Sequence, residues 1–183
     1  HSKCVVVTHG MALWEMQNYP TVLHGVMGRD DKVLQYISAY WGAASFGQVD
    51  LALAAGACLT FIPTPHEMSE LAAGIVDTKT TVLGTVPSQL RGAFPGGPST
   101  SPTCLRLILT WGEKLSVKLS QQWKERLAIV ELLIASEYWL SFHSDSGCST
   151  CPDPVDGTLK HVLRALPHLD FMLLTEEGRN ARV

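Results

Sequence analysis

The stretch CLTFIPTPHEMSELAAGIVDTKTTVL, residues 58–83, decides the fold. It predicts a strand at 59–62, a helix and a second strand at 80–83. The segment TPHE at 64–67 supplies an N-cap residue, a proline for the first helical turn and a capping-box acid. The apolar side chains that follow recur with a helical period, at Met68, Leu71, Ala72, Ile75 and Val76. We therefore expect a strand–helix–strand unit whose helix packs on a sheet.

Short apolar runs alternate with helical patterns along the rest of the chain. Further strands are predicted at Cys4–Val7, Val33–Ile37, Leu105–Leu109, Ile129–Ile134 and Phe171–Leu174. Further helices are predicted at Met11–Tyr19 before an interruption by Pro20, at Ser45–Ala55 before a stop at Gly56, and at Ser116–Leu127. The segments 94–102 and 144–157 are predicted to be irregular. This alternation is typical of an α/β fold with a layered, largely parallel sheet flanked by helices.

Composition and charge exclude several classes of function. The chain has 183 residues, of which 46% are hydrophobic and 17% are charged, so it can bury a core. A net charge of -3 without long runs of like charge argues against a nucleic-acid partner. No apolar stretch reaches the roughly 20 residues of a membrane span, and the first residues lack signal-peptide organisation. We expect a cytoplasmic protein.

The cysteines point to free thiols. Their number, five, is odd, which argues against a secreted disulfide framework. Cys148 and Cys151 have the spacing of half a zinc site, and His143 lies five residues before Cys148. A closed structural zinc site needs four ligands, and no second pair follows. We expect reduced loop thiols here, with zinc or redox use as the alternatives.

Six short sequence segments, called patches here, occur in an order that points to a known family. They are SKCVVVTH at 2–9, DDKVLQYISAYWG at 30–42, LALAAGACLTFIP at 51–63, TVLGTVPSQL at 81–90, LRLILTWGEKLS at 105–116 and LLIASE at 132–137. In order and separation these patches resemble the large N-terminal domain of AMP-forming enzymes. The likeness is greatest to the adenylation domains of nonribosomal peptide synthetases.

The resemblance implies an activity. Enzymes of this family couple a carboxylic acid to ATP, release pyrophosphate and hold the acyl adenylate for transfer to a thiol. It implies ATP and Mg²⁺ as cofactors, a small carboxylic or amino acid as substrate, and a carrier protein or CoA as acyl acceptor. Residues 1–183 would be the central part of the large domain, without the glycine-rich phosphate loop upstream and the small C-terminal domain. Such a fragment should be inactive alone.

Two patches are expected to contact the nucleotide. Lys3 and the following residues to His9 resemble the end of the family's phosphate loop, although Cys4 replaces the usual glycine. Ser136 and Glu137 resemble the Thr-Glu of the family motif Tyr-Gly-x-Thr-Glu. By resemblance the hydroxyl of Ser136 contacts the α-phosphate and the carboxylate of Glu137 holds magnesium, an ion that prefers oxygen ligands.

The same motif raises a question about the adenine contact. Leu133 and Ile134 occupy the positions at which the family has Tyr and Gly, so the aromatic residue that would lie against adenine is missing under this alignment. A register shifted by a residue or more would offer Tyr138 instead.

A further pair of patches is expected to line the acyl pocket. Trp111, Gly112 and Glu113 resemble the family's Gly-Gly-Glu turn beside the acyl pocket and the nucleotide, so Gly112 and Glu113 are also expected near the nucleotide. The indole of Trp111 would shorten or reshape the pocket. Trp41, Ala43 and Ser45 are the other expected pocket residues.

The residue at position 43 leaves the substrate class undecided. Peptide-synthetase domains usually carry an Asp there, which pairs with the α-ammonium group of the substrate. Ala43 cannot pair with an ammonium group, so either the substrate is not a standard α-amino acid, or another acid such as Asp50 serves, or the site has decayed. The alternatives to a peptide-synthetase-like ligase are therefore an acyl-CoA or aryl-CoA ligase and a degenerate, non-catalytic domain.

Overall fold

The computed structural model describes residues 4–23, 25–146, 149–153 and 155–179. It contains a seven-stranded sheet with the order β2-β1-β3-β4-β5-β6-β9 and a separate hairpin, β7-β8. The strands are β1 (Lys32–Gln35), β2 (Cys58–Phe61), β3 (Val82–Thr85), β4 (Leu107–Thr110), β5 (Ala128–Ala135), β6 (Trp139–His143), β7 (Thr150–Pro152), β8 (Leu159–His161) and β9 (Arg164–Ala165). The first five pair in parallel, and β6 and β9 add antiparallel pairs. The predicted α/β fold with a largely parallel sheet is confirmed.

Helices connect and flank these strands. They are α1 (His9–Leu23), a π-helix (Ala43–Val49) that continues into α2 (Asp50–Ala55), α3 (Met68–Thr78), α4 (Pro87–Ala93), a 3₁₀-helix (Gly97–Thr100) and α5 (Val117–Lys124). Gly56 ends α2 in the left-handed conformation, with φ of 68°, as its position in the sequence predicts. Among the described residues no helix combines the length and the apolarity that crossing a bilayer requires.

The core has two halves because the sheet is covered on both faces. Successive residues of a strand point to opposite sides. In β3, Val82 packs in the cluster that includes Tyr19 of α1 and Leu51 of α2. Its neighbour Leu83 packs in the cluster that includes Ile75 of α3 and α5 residues. Both strand residues are fully buried, which explains why the strands form continuous apolar runs.

Two helix boundaries differ from prediction. Helix α1 continues through Pro20 to Leu23, although proline removes one helical hydrogen bond. Tyr19 and Val22 on either side are buried in the core, so tertiary packing outweighs the local cost. Helix α3 begins at Met68 rather than directly after Thr64. The Thr64 hydroxyl instead donates to the Tyr36 carbonyl, at 2.9 Å, and so fixes the connection to β1.

Two predicted strands are wrong. Residues 4–7 form no strand, and Val6 is 83% exposed. Residues 171–174 form at most an isolated bridge, and their side chains are exposed. A strand needs a neighbour to receive its hydrogen bonds, which apolar composition alone does not supply. Helix α4 and the hairpin β7-β8 lie where no regular element is predicted.

An ion pair fixes the amino-terminal edge of the sheet. Two guanidinium nitrogens of Arg106, just before β4, donate to the two carboxylate oxygens of Asp31, just before β1. The Thr81 hydroxyl also donates to Asp31, at 2.6 Å. Burial alone would raise the pKa of Asp31, but these hydrogen bonds outweigh it and hold the pKa below its usual value. This end of the sheet is therefore tied together opposite the edge at which the predicted site residues lie.

Candidate functional site

The predicted site residues follow the carboxyl ends of the parallel strands. Trp111 and Gly112 come directly after β4, and Ser136 and Glu137 come directly after β5. The carboxyl ends of neighbouring parallel strands meet at one edge, where α/β sheets usually bind ligands. The topology therefore brings together two sequence patches that lie about 25 positions apart in the chain.

Two indoles meet at this edge. Trp111 is 1% exposed, and its ring centroid lies 6.5 Å from that of Trp41 in an edge-to-face arrangement. Gly112 has φ of 74°, a conformation that favours glycine. A methyl group at Gly112 would lie 3.5 Å from Cζ2 of Trp41. The structure therefore places Trp41, Trp111 and Gly112 side by side.

Trp111 packs on a glycine of the neighbouring strand. A methyl group at Gly84 of β3 would lie 2.1 Å from Cη2 of Trp111 and 1.9 Å from Oε1 of Gln48. Within the described part of the chain, Nε1 of Trp111 and Oε1 of Gln48 are buried and have no hydrogen-bond partner. The indole of Trp111 and the amide of Gln48 therefore fill the space beside Gly84.

The remaining predicted pocket residues have structural contacts. Ala43 is buried in the same apolar cluster as Trp111. The hydroxyl of Ser45 donates to the Ala39 carbonyl and so closes the turn that carries Trp41. Asp50 begins α2, and burial raises its pKa to about 6. Its carboxylate also contributes to the raised pKa of Glu15 in α1.

Glu113 holds the Trp111–Gly112 turn against α4. Its carboxylate accepts the Ser88 amide N–H at 2.9 Å and the Ser88 hydroxyl at 2.5 Å. Ser88 lies in the first turn of α4, where free amides favour a negative charge. The exposed carboxylate is thus already hydrogen-bonded, and its role in this structure is to fix the turn.

A cavity of about 410 Å³ lies between the two turns. Such a volume is in the range of small-molecule sites. One wall comes from the turn after β4 and the other from β5 and the turn after it. The lining residues are Gly112, Glu113, Lys114, Glu131, Leu132, Leu133, Ile134, Tyr138 and Leu163. Of the residues predicted at the nucleotide, Gly112 and Glu113 face this cavity together.

Ser136 and Glu137 form the turn between β5 and β6, with Ser136 partly buried and Glu137 exposed. They lie between Ile134 and Tyr138, which both line the 410 Å³ cavity, but do not themselves line it. Tyr138 also lines a second cavity of about 580 Å³. The turn therefore lies at the junction of the two cavities.

The second cavity reaches the predicted phosphate-loop patch. Thr8 and Gly10, which flank His9, line it. His9 itself is the first residue of α1 and is exposed. Thr8 caps the helix, since its hydroxyl oxygen accepts the Met11 N–H at 3.2 Å. Lys3 lies outside the described residues.

A buried acid, Glu15, is among the residues that line the second cavity. Glu15 is 1% exposed and accepts the Leu140 N–H at 3.1 Å and the Tyr19 hydroxyl. Burial raises the pKa of Glu15 to about 8, although both hydrogen bonds oppose the shift. Burial and the nearby Glu15 also raise the pKa of Tyr19. Burial thus favours the protonated form of the Glu15 carboxyl, which joins α1 to β6.

Several contacts at this edge are not predictable from the sequence. The Tyr36 hydroxyl after β1 contacts Oγ1 of Thr85 at the end of β3, at 2.8 Å. Glu131 lines the cavity and interrupts the apolar run of β5, a signal that the sequence carries. Tyr138, which a shifted register of the Ser136–Glu137 motif would offer, lines the cavity together with Leu133. Tyr36 and Thr85 give no comparable signal because their meeting depends on strand pairing.

Comparison with known proteins supports the fold and the family. The model of the AMP-binding enzyme family matches residues 1–182. No curated protein matches the chain. Similar solved structures include the Vibrio cholerae adenylation domain AlmE in complex with glycyl-adenosine-5'-phosphate, with a TM-score of 0.74 and 20% identity, over 97% of this chain and 33% of that one.

Two further solved structures give similar superpositions. A benzoate CoA ligase from Burkholderia xenovorans LB400 has a TM-score of 0.76 and 16% identity, over 97% of this chain and 36% of that one. ATP-bound MatB from Rhodopseudomonas palustris has a TM-score of 0.74 and 16% identity, over 100% of this chain and 35% of that one. At such identities the likeness concerns the fold alone, and the chain spans about a third of each structure. The family match over nearly the whole chain shows that it belongs to the AMP-binding enzymes.

Proposed function

We propose that this chain is the central part of the large domain of an AMP-forming ligase, which activates a carboxylic acid as an acyl adenylate. In this proposal the adenylate is transferred to the thiol of a carrier protein. The glycine-rich phosphate loop and the small C-terminal domain then belong to other parts of a longer protein, and the 183 residues alone are inactive. The proposed location is the cytoplasm.

One observation carries the proposal. The Gly112 turn and the turn at 136–138 flank a single cavity at the carboxyl edge of the parallel strands. A nucleotide there would have Leu133 and Tyr138 as apolar contacts for its base. Its phosphates would extend past Ser136 towards Thr8, whose neighbourhood forms the adjoining cavity.

The residues fit a magnesium ion that arrives with the nucleotide. Mg²⁺ is usually held by one or two carboxylates together with substrate phosphates, and it retains several waters. Among the described residues no cluster of three or more His, Cys, Asp or Glu side chains could hold a metal. Glu137, exposed in its turn, would supply a single carboxylate. The bound ion would neutralise charge on the phosphates.

The remaining site residues would act by position. The hydroxyl of Ser136 would donate to the α-phosphate. Trp41 and Trp111 would close the acyl pocket beneath Gly112, with Ala43 and Ser45 supporting the segment that carries Trp41. Positioning of this kind contributes to catalysis because it replaces a random encounter by a fixed geometry.

ATP–pyrophosphate exchange in the full-length protein tests the proposal. We expect exchange that depends on a carboxylic acid. Replacement of Glu137 by Gln should lower it about 100-fold, the effect typical of one electrostatic contact. The matched control Glu176→Gln removes an exposed carboxylate outside the cavities and should leave exchange unchanged. Absence of exchange with fatty, aryl and amino acids alike would favour a degenerate domain and refute the proposal.

One observation favours an acyl-CoA or aryl-CoA ligase as the second candidate. Ala43 is buried and uncharged at the position where, by resemblance, an amino-acid substrate needs an acidic partner. A ligand ammonium group without a partner would be costly to desolvate. The acid profile of the exchange reaction separates the candidates, because a preference for α-amino acids would exclude the second.

A further inference from the structure

A chain of polar contacts crosses the interior from α5 to β5. The hydroxyl oxygen of Ser120 lies 2.9 Å from Nε2 of His161, and Nδ1 of His161 lies 2.6 Å from Oε2 of Glu131. Ser120 is 1% exposed, and the side chains of His161 and Glu131 are 6% and 14% exposed. The contacts therefore lie largely away from solvent, where such interactions are strong.

The second oxygen of Glu131 reaches the candidate site. Its Oε1 accepts the backbone N–H of Leu115 at 3.1 Å. Leu115 is three residues after Gly112, in the segment that forms one wall of the 410 Å³ cavity. Glu131 itself belongs to β5, which forms the opposite wall. One carboxylate thus ties the two walls together and connects both to the hairpin that carries His161.

Ser120, His161 and Glu131 are spaced like the nucleophile, base and acid of a hydrolase triad. A role in hydrolysis does not fit their surroundings. Ser120 is buried, so a substrate carbonyl could not reach its oxygen. Its hydroxyl also lies 2.9 Å from the Val117 carbonyl, which takes the hydrogen in the helix. With that hydrogen engaged, the two ring nitrogens of His161 bridge the Ser120 oxygen and the Glu131 carboxylate.

We infer that Glu131 and His161 are positioning residues that set the width of the nucleotide cavity. His161 orients the Glu131 carboxylate, and the carboxylate holds the Leu115 amide and therefore the turn with Gly112. The inference rests on the proposed function only in identifying the cavity as the nucleotide site. Removal of His161 should release Oε2 of Glu131 and let the turn move away from β5.

Hydrogen–deuterium exchange on the unliganded protein tests the coupling without any ligand. In His161→Ala we expect the Leu115 amide to exchange about tenfold faster, the effect of weakening one hydrogen bond. Lys160→Ala is the matched control because it removes the neighbouring side chain, which pairs with Asp153 in the exposed hairpin. The control should change exchange at Leu115 less than twofold. Unchanged exchange at Leu115 in His161→Ala would overturn the inference.

Replacement of Glu131 provides a second test, which can be used if His161→Ala fails to fold. Glu131→Gln keeps an oxygen that can accept the Leu115 N–H, whereas Glu131→Ala removes it. We expect the Leu115 amide to stay protected from exchange in Glu131→Gln and to exchange about tenfold faster in Glu131→Ala. Equal protection in both variants would overturn the inference, since a merely structural role predicts no rescue.

AMP binding, measured by calorimetry on the full-length protein, connects the coupling to the site. We expect His161→Ala and Glu131→Ala to lower the affinity for AMP about tenfold, and Glu131→Gln to retain most of it. If the unaltered protein binds neither AMP nor ATP, the proposed function fails, while the exchange result still decides the coupling. If AMP binds equally well to all variants, the cavity is not positioned by these residues and the inference is overturned.

Discussion

Glu15 should make the stability of this protein depend on pH in a direction opposite to that of a typical surface acid. Burial raises the pKa of Glu15 to about 8 in the folded protein, whereas a glutamate in an unfolded chain titrates near 4.3. Between these values the folded protein keeps a proton that the unfolded chain releases. The free energy of unfolding therefore falls as the pH rises from about 4.3 towards 8.

The magnitude follows from the width of this pH range. Each pH unit changes the free energy of unfolding by 1.36 kcal/mol while only the folded state holds the proton. From pH 5.5 to pH 7.5 the loss is about 3 kcal/mol. Glu15→Gln removes the titration and keeps a carbonyl oxygen to accept the Leu140 N–H. The variant should therefore lose about 3 kcal/mol less than the unaltered protein over the same range.

Urea unfolding, followed by the fluorescence of the five tryptophans, measures this difference. Subtracting the pH dependence of the variant from that of the unaltered protein cancels the titration of groups that do not interact with Glu15. Glu176→Gln, an exposed acid, serves as the control and should retain the slope of the unaltered protein. Equal slopes for Glu15→Gln and the unaltered protein would show that Glu15 ionises normally and would refute the reasoning.

Three other substitutions test the packing by urea unfolding. Gly84→Ala should destabilise the protein by about 3 kcal/mol because its methyl group would overlap the indole of Trp111. Gly28→Ala should be nearly neutral because its methyl group would have no other atom within 4 Å. Ser116→Ala should cost about 1 kcal/mol, since the Ser116 hydroxyl caps α5, and an unchanged midpoint would contradict this. Arg106→Ala should cost about 2 kcal/mol at pH 7 by leaving Asp31 without its cation. Because the pKa of Asp31 is lowered, this difference should shrink as the pH falls below 4, and a constant difference would contradict the assignment.

The sequence predicts the elements that depend on local periodicity. Residues 68–76 form the helix that their apolar spacing indicates, and most of the helix predicted at Ser116–Leu127 forms as α5. Gly56 likewise ends α2. Strands β3 and β4 are recognisable as apolar runs because both of their faces are buried. These features need no information beyond their own neighbourhood in the chain.

Features that depend on contacts between distant residues could not be predicted. The π-helix at Ala43–Val49 packs against β6 and β5, where Gly47 approaches Cδ1 of Ile134. The sequence predicts a helix from Ser45 to Ala55 but gives no sign of the π-helical geometry. Similarly, the pairing of Glu131 with His161 joins residues 30 positions apart. The strand expected at 4–7 illustrates the converse, because an apolar run without a hydrogen-bonded neighbour stays irregular.

Photolabelling with 8-azido-ATP tests most directly whether the two turns enclose one nucleotide site. We expect label in the full-length protein on two separate peptides, one containing residues 111–115 and one containing 131–138, and we expect AMP to suppress both. A label confined to other segments, such as the groove between Arg91 and α5 that forms the cavity of about 690 Å³, would contradict the account.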